Sequence, residues 1–309
     1  MVTASRTRRK VNVRQAHARI GATIGPTPLV RSASLSAENG ADVFLKLECR
    51  NETAAFKERG ALSALLARGH AVRRGVVAAS AGNHGKALAL HGSRLGIPVT
   101  VVMPESTPEI KVCGARAYGA RVVLVPGTFE DALARAEALA SDGLELIPPF
   151  DDADVISGQG TIALEILASA PRVEVIVAAV GGGGLLAGLA SAVAECAPQV
   201  EVVGARTLRS TIAEGMNVAQ LGALPARILG RRGVPIVAVS ESLLFEAMSL
   251  HYWNDGVKVE PAAAAPLAAL LGYPGRFAGK RVALVLSGAN VEQAVFDDIV
   301  AREALAALI

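Results

Sequence analysis

Residues 173–190, VEVIVAAVGGGGLLAGLA, contain the pattern that decides the fold. The first eight residues are almost all apolar and several are β-branched, which is typical of a parallel strand buried on both faces. Four glycines end the strand, and the Leu- and Ala-rich residues after them indicate a buried helix. A strand, a glycine loop and a helix in this order predict an α/β protein with a ligand-binding loop at the carboxyl end of a strand.

Strand-like and helix-like runs alternate along most of the chain. Further β-branched runs, most of them followed by Ala- and Leu-rich helical runs, lie at 43–47, 76–79, 99–103, 121–125, 145–147, 200–204 and 282–286. This alternation predicts parallel sheets covered by helices. Residues 71–151 contain a series of βα units of their own, so we expect a smaller domain inserted into a larger one. The larger domain then consists of residues 1–70 and 152–309.

Composition excludes several classes of protein. The chain has 309 residues, of which 51% are hydrophobic and 4% aromatic. Its apolar runs are shorter than the roughly 18 residues that a membrane-spanning helix needs, so we expect no membrane segment. Few aromatic side chains are present to stack on bases and the net charge is only +3, so we expect no nucleic-acid partner. The basic run at 4–14 is interpreted as a solvated tail, with contact to an anionic surface as the alternative.

The cysteines and the N-terminal residues indicate a cytoplasmic protein. Cys49, Cys113 and Cys196 are odd in number and widely spaced, so they predict neither a disulfide framework nor a metal site. The N-terminal residues lack the apolar segment of a signal peptide. We therefore expect a reducing, cytoplasmic location and no metal ligands.

The glycine loop at 181–184 predicts a phosphate site. The chain has 31 glycines, against about 22 at average usage. Four in a row leave backbone N–H groups unshielded at the start of a helix, where phosphate binds well. The loop is not a P-loop, since no Gly-Lys-Ser/Thr follows, and it lacks the acidic residue of a dinucleotide site, since Ala205 and Arg206 stand after the next strand. The alternative is a flexible turn, which would need fewer glycines.

Two further loops follow predicted strands. In ASAGNHGKALAL (79–90), Ser80, Gly82, Asn83 and His84 stand at a helix start, where N–H groups and small polar side chains suit a carboxylate. Helix capping is the alternative explanation. In VLSGAN (285–290), Ser287 is expected at the carboxyl end of a buried strand, where α/β sheets place their ligands. An ordinary turn is the alternative there.

The stretch ETAAFKERG (52–60) places Lys57 in a small, mostly apolar run. A solvated lysine at a helix start is one explanation. A lysine that forms a Schiff base is the other, because an apolar pocket disfavours the charged form and makes the amine a usable nucleophile and base. Beside a predicted phosphate loop and a predicted carboxylate loop, we interpret Lys57 as the functional residue.

Nine ordered blocks resemble the fold-type-II pyridoxal 5'-phosphate enzymes, most closely their threonine/serine dehydratase and serine racemase branch. The resemblance extends from about Gly25 to about Asn290. It implies a tryptophan-synthase-β-like α/β fold, with two open, mostly parallel twisted sheets and helices on both faces. The blocks are GPTPLVRSASLS, VFLKLE, AAFKERGAL, SAGNHGKALAL, PFDDADVISGQGTIALEIL, VGGGGLLAG, TIAEGMNV, VEPAAAAPLAAL and LSGAN.

The resemblance implies a role for each candidate residue. Lys57 matches the lysine that binds the cofactor as a Schiff base, and Phe56 matches the residue that packs beside the cofactor ring. Asn83 matches the hydrogen-bond partner of the phenolic oxygen, and Ser287 matches the partner of the pyridine nitrogen. The residues that match the phosphate cradle are Gly181, Gly182, Gly183, Gly184 and Leu185. Those that match the substrate-carboxylate loop are Ser80, Ala81, Gly82, Asn83 and His84.

The implied reaction is a β-elimination on an amino-acid substrate by a homodimeric enzyme. Lys57 removes the α-proton, the β-hydroxyl leaves with a proton from a nearby acid, and a 2-oxo acid and ammonia result. Ser287 in place of an aspartate leaves the ring a weaker electron sink, which favours rapid loss of a β-substituent. No domain follows Ile309, so we do not expect feedback control through an appended domain.

Several alternatives stay open. A serine or aspartate racemase needs a second base, but Ala81 stands where serine racemases have serine. At position 150 those racemases tend to have asparagine, whereas Phe150 is similar to the residue of the dehydratases. A dehydratase for 3-hydroxyaspartate-like substrates, a homologue that binds the cofactor without catalysis, and a plain nucleotide-binding protein are the others. The altered pair Ala54 and Ala55, where the family commonly has glycine and serine, favours a less usual substrate than threonine.

Other departures concern metal activation. Arg206 stands where the branch has a metal-binding glutamate, and the segment after it is some twenty residues shorter than in the family. A guanidinium cannot bind a metal ion, although its charge could replace one. Glu260 lies in a block that approaches the cofactor, and a buried or helix-capping glutamate is the alternative interpretation.

Overall fold

The computed structural model describes residues 9–207 and 212–306. Residues 4–8 of the basic N-terminal run and part of the shortened segment after Arg206 lie outside these residues. The strands are β1 (Leu29–Arg31), β2 (Asp42–Lys46), β3 (Val76–Ala79), β4 (Val99–Pro104), β5 (Arg121–Val125), β6 (Glu145–Leu146), β7 (Val175–Ala179), β8 (Glu201–Arg206), β9 (Ile236–Ala238) and β10 (Arg281–Val285).

Helices precede, connect and follow these strands. They are α1 (Val13–Ile20), α2 (Ala33–Asn39), α3 (Lys57–Arg68), α4 (Asn83–Arg94), α5 (Glu109–Arg116), α6 (Phe129–Ser141), α7 (Ala153–Ser169), α8 (Gly184–Cys196), α9 (Ala223–Arg232), α10 (Glu241–Asp255), α11 (Pro261–Gly272), α12 (Pro274–Phe277) and α13 (Gln293–Ala306). None of the helices that the structure describes is long and apolar enough to cross a bilayer.

The strands form two sheets, as predicted. One has six strands in the order β1-β2-β10-β7-β8-β9 and the other has four in the order β5-β4-β3-β6. Every pairing is parallel except that of β1 with β2, which is antiparallel. The four-stranded sheet is built entirely from strands between Val76 and Leu146. That segment lies inside the predicted inserted domain, 71–151, whose boundaries stay a prediction.

Strand β7 shows why the apolar runs form central strands. Val175 and Val177 pack into the apolar cluster on one face of the six-stranded sheet, and Ile176 and Ala178 pack into the cluster on the other. Successive side chains of a strand point to opposite faces, so a strand covered on both sides must be apolar at every position. The prediction from residues 173–180 is therefore confirmed.

The N-terminal region differs from the predicted solvated tail. Asn12 caps α1 by accepting a hydrogen bond from the backbone N–H of Gln15, and Val13, Ala16 and Ile20 are buried. Arg9 donates to a backbone carbonyl and pairs with a carboxylate, so from Arg9 onward this segment is docked. Its apolar residues are spaced by three and four positions, which is the helical signal that the basic composition concealed.

Candidate active site

The segment that carries Lys57 is hydrogen-bonded to the carboxyl end of β10. Ala55 forms a bridge with Gly288, and the backbone N–H of Phe56 donates to the Ser287 carbonyl at 2.9 Å. Lys57 is the first residue of α3. The structure thus brings Lys57 and Ser287, which are far apart in sequence, to one edge of the six-stranded sheet.

Lys57 is placed to act as a neutral amine. Its Nζ donates to the Pro149 carbonyl at 2.8 Å and lies 5.1 Å from the centre of the Phe56 ring. Burial lowers the pKa of Lys57 to about 8, although the nearby Glu260 carboxylate opposes the shift. The position at a helix N-terminus disfavours the ammonium form further. About a tenth of this amine is therefore unprotonated at pH 7 and about half at pH 8, and this unprotonated form is the one that a base or a nucleophile requires.

Asn83 is fixed by a network that joins the two sheets. Its Nδ2 lies 3.1 and 3.2 Å from the two Glu260 oxygens, and its Oδ1 accepts from Asn290 Nδ2 at 2.7 Å. Asn290 also donates to the Thr53 carbonyl at 2.7 Å and, through its backbone N–H, to Glu260 at 3.1 Å. The Asn83 amide is therefore held in one orientation, with its nitrogen toward a carboxylate.

Glu260 belongs to this site. It precedes α11, yet its side chain makes no capping hydrogen bond to that helix. The carboxylate is directed instead at Asn83 and influences the pKa of Lys57. From the sequence, a buried or helix-capping role for Glu260 and a role in the site were equal alternatives. The only sequence signal that favoured the site was the resemblance of the surrounding block to the family.

The loop after β3 presents backbone N–H groups at the start of α4. Ser80 is buried, and its Oγ accepts from Gly85 at 3.1 Å and from Gly82 at 3.4 Å. Among the described residues, the N–H groups of Ala81, Asn83 and His84 have no hydrogen-bond acceptor. Free N–H groups at a helix N-terminus suit a carboxylate, as the sequence predicts.

The His84 side chain turns away from this loop. It is 2% exposed, and its Nε2 donates to the Ile147 carbonyl at 2.8 Å. Burial, with a smaller contribution from the Lys57 charge, lowers the pKa of His84 to about 3, so the ring stays neutral. Only the backbone N–H of His84 is therefore placed toward a ligand of the loop.

The glycine loop connects β7 to α8, as predicted. Gly183 has a φ of +87°, and a Cβ on Gly182 or Gly184 would overlap with Phe150. A Cβ on Gly181 would overlap with the Gly215 carbonyl oxygen. These glycines are thus required by close packing and by backbone conformation, which a merely flexible turn would not require. Phe150, the position at which the sequence is similar to the dehydratases, packs directly against the loop.

The geometry fits the phosphorylated cofactor. Within the described part of the chain, the backbone N–H groups of 181–185 have no hydrogen-bond acceptor, although Gly182, Gly183, Gly184 and Leu185 are buried. Buried N–H groups without partners are costly unless a ligand such as phosphate accepts from them. Leu284 pairs with Val177, and extending this register by three residues places Ser287 beside Val180, next to the loop. Ser287 is 3% exposed there.

Arg206 lies at the carboxyl end of β8. Its Nη2 donates to the carbonyls of Val218 and Ala219, the second at 3.2 Å. The guanidinium therefore binds backbone oxygens of the segment that follows the strand. In the ranges 9–207 and 212–306 no group of His, Cys, Asp or Glu is arranged to hold a metal ion. The absence of metal activation stays a prediction.

Known proteins are similar to this chain over nearly its full length. Residues 20–288 match the family described as "Pyridoxal-phosphate dependent enzyme". An L-threonine ammonia-lyase of Geobacter sulfurreducens is 35% identical, over 96% of this chain and 79% of its own. An L-threo-3-hydroxyaspartate ammonia-lyase of a Pseudomonas species is 36% identical, over 86% of this chain and 90% of its own. The crystal structure of serine racemase from Dictyostelium discoideum superposes with a TM-score of 0.86 at 30% identity, covering 91% of this chain and 97% of that one.

Proposed function

Because the chain belongs to the family of pyridoxal-phosphate dependent enzymes, we propose that it is a lyase acting on hydroxy amino acids of the threonine and serine type. The products are a 2-oxo acid and ammonia. The observation that carries the proposal is the partly buried Lys57, with a pKa of about 8, on a segment hydrogen-bonded to Ser287. Two ammonia-lyases among the relatives support this class of reaction.

Different residues of the site would bind different parts of the cofactor. The N–H groups of 181–185 would hold the cofactor phosphate, and the Ser287 hydroxyl would face its ring nitrogen. Asn83, fixed by Glu260, would contact the ring oxygen. When bound, pyridoxal phosphate supplies the electron-withdrawing ring that acidifies the α-proton of an amino acid.

Lys57 and the α4 loop supply the rest of the chemistry. The N–H groups of Ala81, Asn83 and His84 bind the substrate carboxylate and orient the α-carbon. The unprotonated Nζ of Lys57 then takes the proton from that carbon. Ala81 has no group that could return a proton from the opposite face, which favours elimination over racemisation.

A substrate screen tests the proposal. We expect 2-oxo acid and ammonia in equal amounts from at least one of threonine, serine and 3-hydroxyaspartate. Lys57→Ala should abolish both products, together with the covalent label left on the chain after borohydride reduction. The matched control is Lys280→Ala, at a partly exposed lysine that pairs with Glu201. It should leave activity and label unchanged.

Two outcomes would contradict the proposal. A D-amino acid formed without 2-oxo acid, seen by chiral chromatography, would show a racemase. A chain that takes the borohydride label on Lys57 but gives no product from any of these substrates would be a cofactor-binding homologue without this catalysis.

We also propose a homodimer in the cytoplasm. The resemblance of the sequence to the dehydratase branch supports the dimer, and the cysteine pattern supports the reducing compartment. Light scattering coupled to size-exclusion chromatography should give twice the mass of the chain, and a mass equal to one chain would refute the dimer.

A further inference from the structure

Lys86 lies on the same face of α4 as Asn83. It stands one helical turn after Asn83, and residues three apart on a helix are neighbours. The Nζ of Lys86 lies 3.3 Å from the side-chain oxygen of Asn290. The side-chain nitrogen of Asn290 donates to Asn83. The ammonium group of Lys86 is therefore in direct contact with the network that fixes Asn83.

The fold makes room for this side chain. A Cβ on Gly114 of α5 would lie 2.7 Å from Lys86 Cε and 3.4 Å from its Nζ, so the lysine stem packs directly against that glycine. Both helices belong to the part of the chain that carries the four-stranded sheet. A residue larger than glycine at this position would displace the amine, so the packing against α5 fixes the Lys86 side chain.

The charge of Lys86 forms no ion pair with a described residue. Among the described residues, no carboxylate lies within ion-pair distance of Nζ, and its hydrogen-bond partner is a neutral amide oxygen. Burial lowers the pKa of Lys86, the Glu260 carboxylate opposes this shift, and the Lys111 charge adds to it. A half-buried ammonium beside a second cation is unfavourable until an anion binds near it.

We infer that Lys86 is a specificity-determining residue that binds a second carboxylate on the substrate. The preferred substrates are then acidic β-hydroxy amino acids of the 3-hydroxyaspartate class. This rests on the proposed function, because the α-carboxylate is taken to bind at the start of α4. One helical turn, about 5 Å along the axis, separates the backbone of that loop from the backbone of Lys86. Helical side chains lean toward the helix N-terminus, so the long lysine side chain can bring its ammonium to the second carboxylate of a substrate bound at the loop. The methyl group of threonine would desolvate the ammonium without any compensating contact.

Steady-state kinetics on the holoenzyme test the inference. For threo-3-hydroxyaspartate, Lys86→Gln should lower kcat/KM by about 10- to 100-fold, the loss expected for one charge-assisted hydrogen bond. For threonine the same variant should stay within about threefold of the wild type or improve, since an unpaired charge is removed. Lys86→Arg should keep most of the activity on the acidic substrate. Lys280→Gln is the control and should change neither value.

A binding measurement separates this inference from the proposed function. By calorimetry, succinate should bind the wild-type holoenzyme at least about tenfold more tightly than butyrate, and Lys86→Gln should remove that preference. If threonine is turned over but Lys86→Gln affects both substrates equally, the inference is overturned and the lyase stands. If no substrate is turned over while succinate still requires Lys86, the lyase is overturned and the dicarboxylate site stands. Equal binding of succinate and butyrate by the wild type would overturn the inference directly.

Discussion

Replacing Arg59 by methionine should destabilise the fold more than any change at the protein surface. Arg59 lies two residues after Lys57 and is fully buried. Its Nε and Nη2 donate to Glu48 at 2.8 and 2.9 Å, and its Nη1 and Nη2 donate to Glu165 at 2.5 and 2.9 Å. Lys46 pairs with Glu165 at 2.6 Å. Two buried cations thus balance two buried carboxylates.

Arg59→Met leaves this buried cluster with one uncompensated negative charge. Methionine fills much of the same volume, so the main cost is the unpaired carboxylate and not a cavity. Breaking a buried pair by removing one partner costs about 3–5 kcal/mol. That is a large share of the roughly 5–15 kcal/mol that stabilises a typical domain.

The cost should depend on pH through Glu48. Burial alone would raise the pKa of Glu48, but the charge and hydrogen bonds of Arg59 hold it below its ordinary value. In the wild type this stabilisation is present above the unfolded pKa of about 4.3 and is lost as the pH falls. Without Arg59, burial raises the pKa of Glu48 above its unfolded value. The variant therefore loses stability as the pH rises above the unfolded pKa of about 4.3. The difference between the two proteins should therefore widen from pH 4 to pH 7.

Urea unfolding followed by far-UV circular dichroism measures this difference. Tryptophan fluorescence is a poor probe, because the single tryptophan, Trp253, is 62% exposed. Adding Glu48→Gln to Arg59→Met should restore at least about 1 kcal/mol by removing the unpaired charge. A cost below about 1 kcal/mol for Arg59→Met, or the same cost at pH 5 and pH 8, would refute the reasoning.

The other predictions concern the site. In the apoenzyme, reductive methylation of Lys57 should be half-maximal near pH 8. Glu260→Gln should lower that midpoint, because the carboxylate raises the pKa of Lys57. A midpoint near pH 10 would contradict the conclusion that burial lowers this pKa. Ala54 has a φ of +56°, so Ala54→Gly should raise the unfolding free energy by about 0.5–1 kcal/mol, and a lower urea midpoint would oppose this. Gly181→Ala should weaken cofactor binding by at least about tenfold in an absorbance titration, whereas Gly230→Ala, which has open space around its Cβ position, should not.

Local sequence patterns were sufficient to predict the buried strands and the loops that follow them. The apolar run that forms β7, the glycines after it and the helix α8 follow from neighbouring residues, because burial on both faces demands apolar side chains at every position. The edge strands β1 and β9 have three residues each and were not predicted. Such short segments carry too few alternating positions to show a period.

The sequence by itself determined the order of strands and helices, the glycine loop and the candidate lysine. The strands, helices and glycine loop depend on residues within one turn or one strand of each other, whereas Lys57 was identified only together with the loops at 80–84 and 181–184 and with the family resemblance. Only the tertiary structure decided the place of Glu260, whose carboxylate meets Asn83 across 177 positions of the chain, and the inward turn of the His84 ring. The first contact depends on how the two sheets pack together and the second on how α4 packs against the residue after β6. No local pattern encodes a distance between segments that far apart.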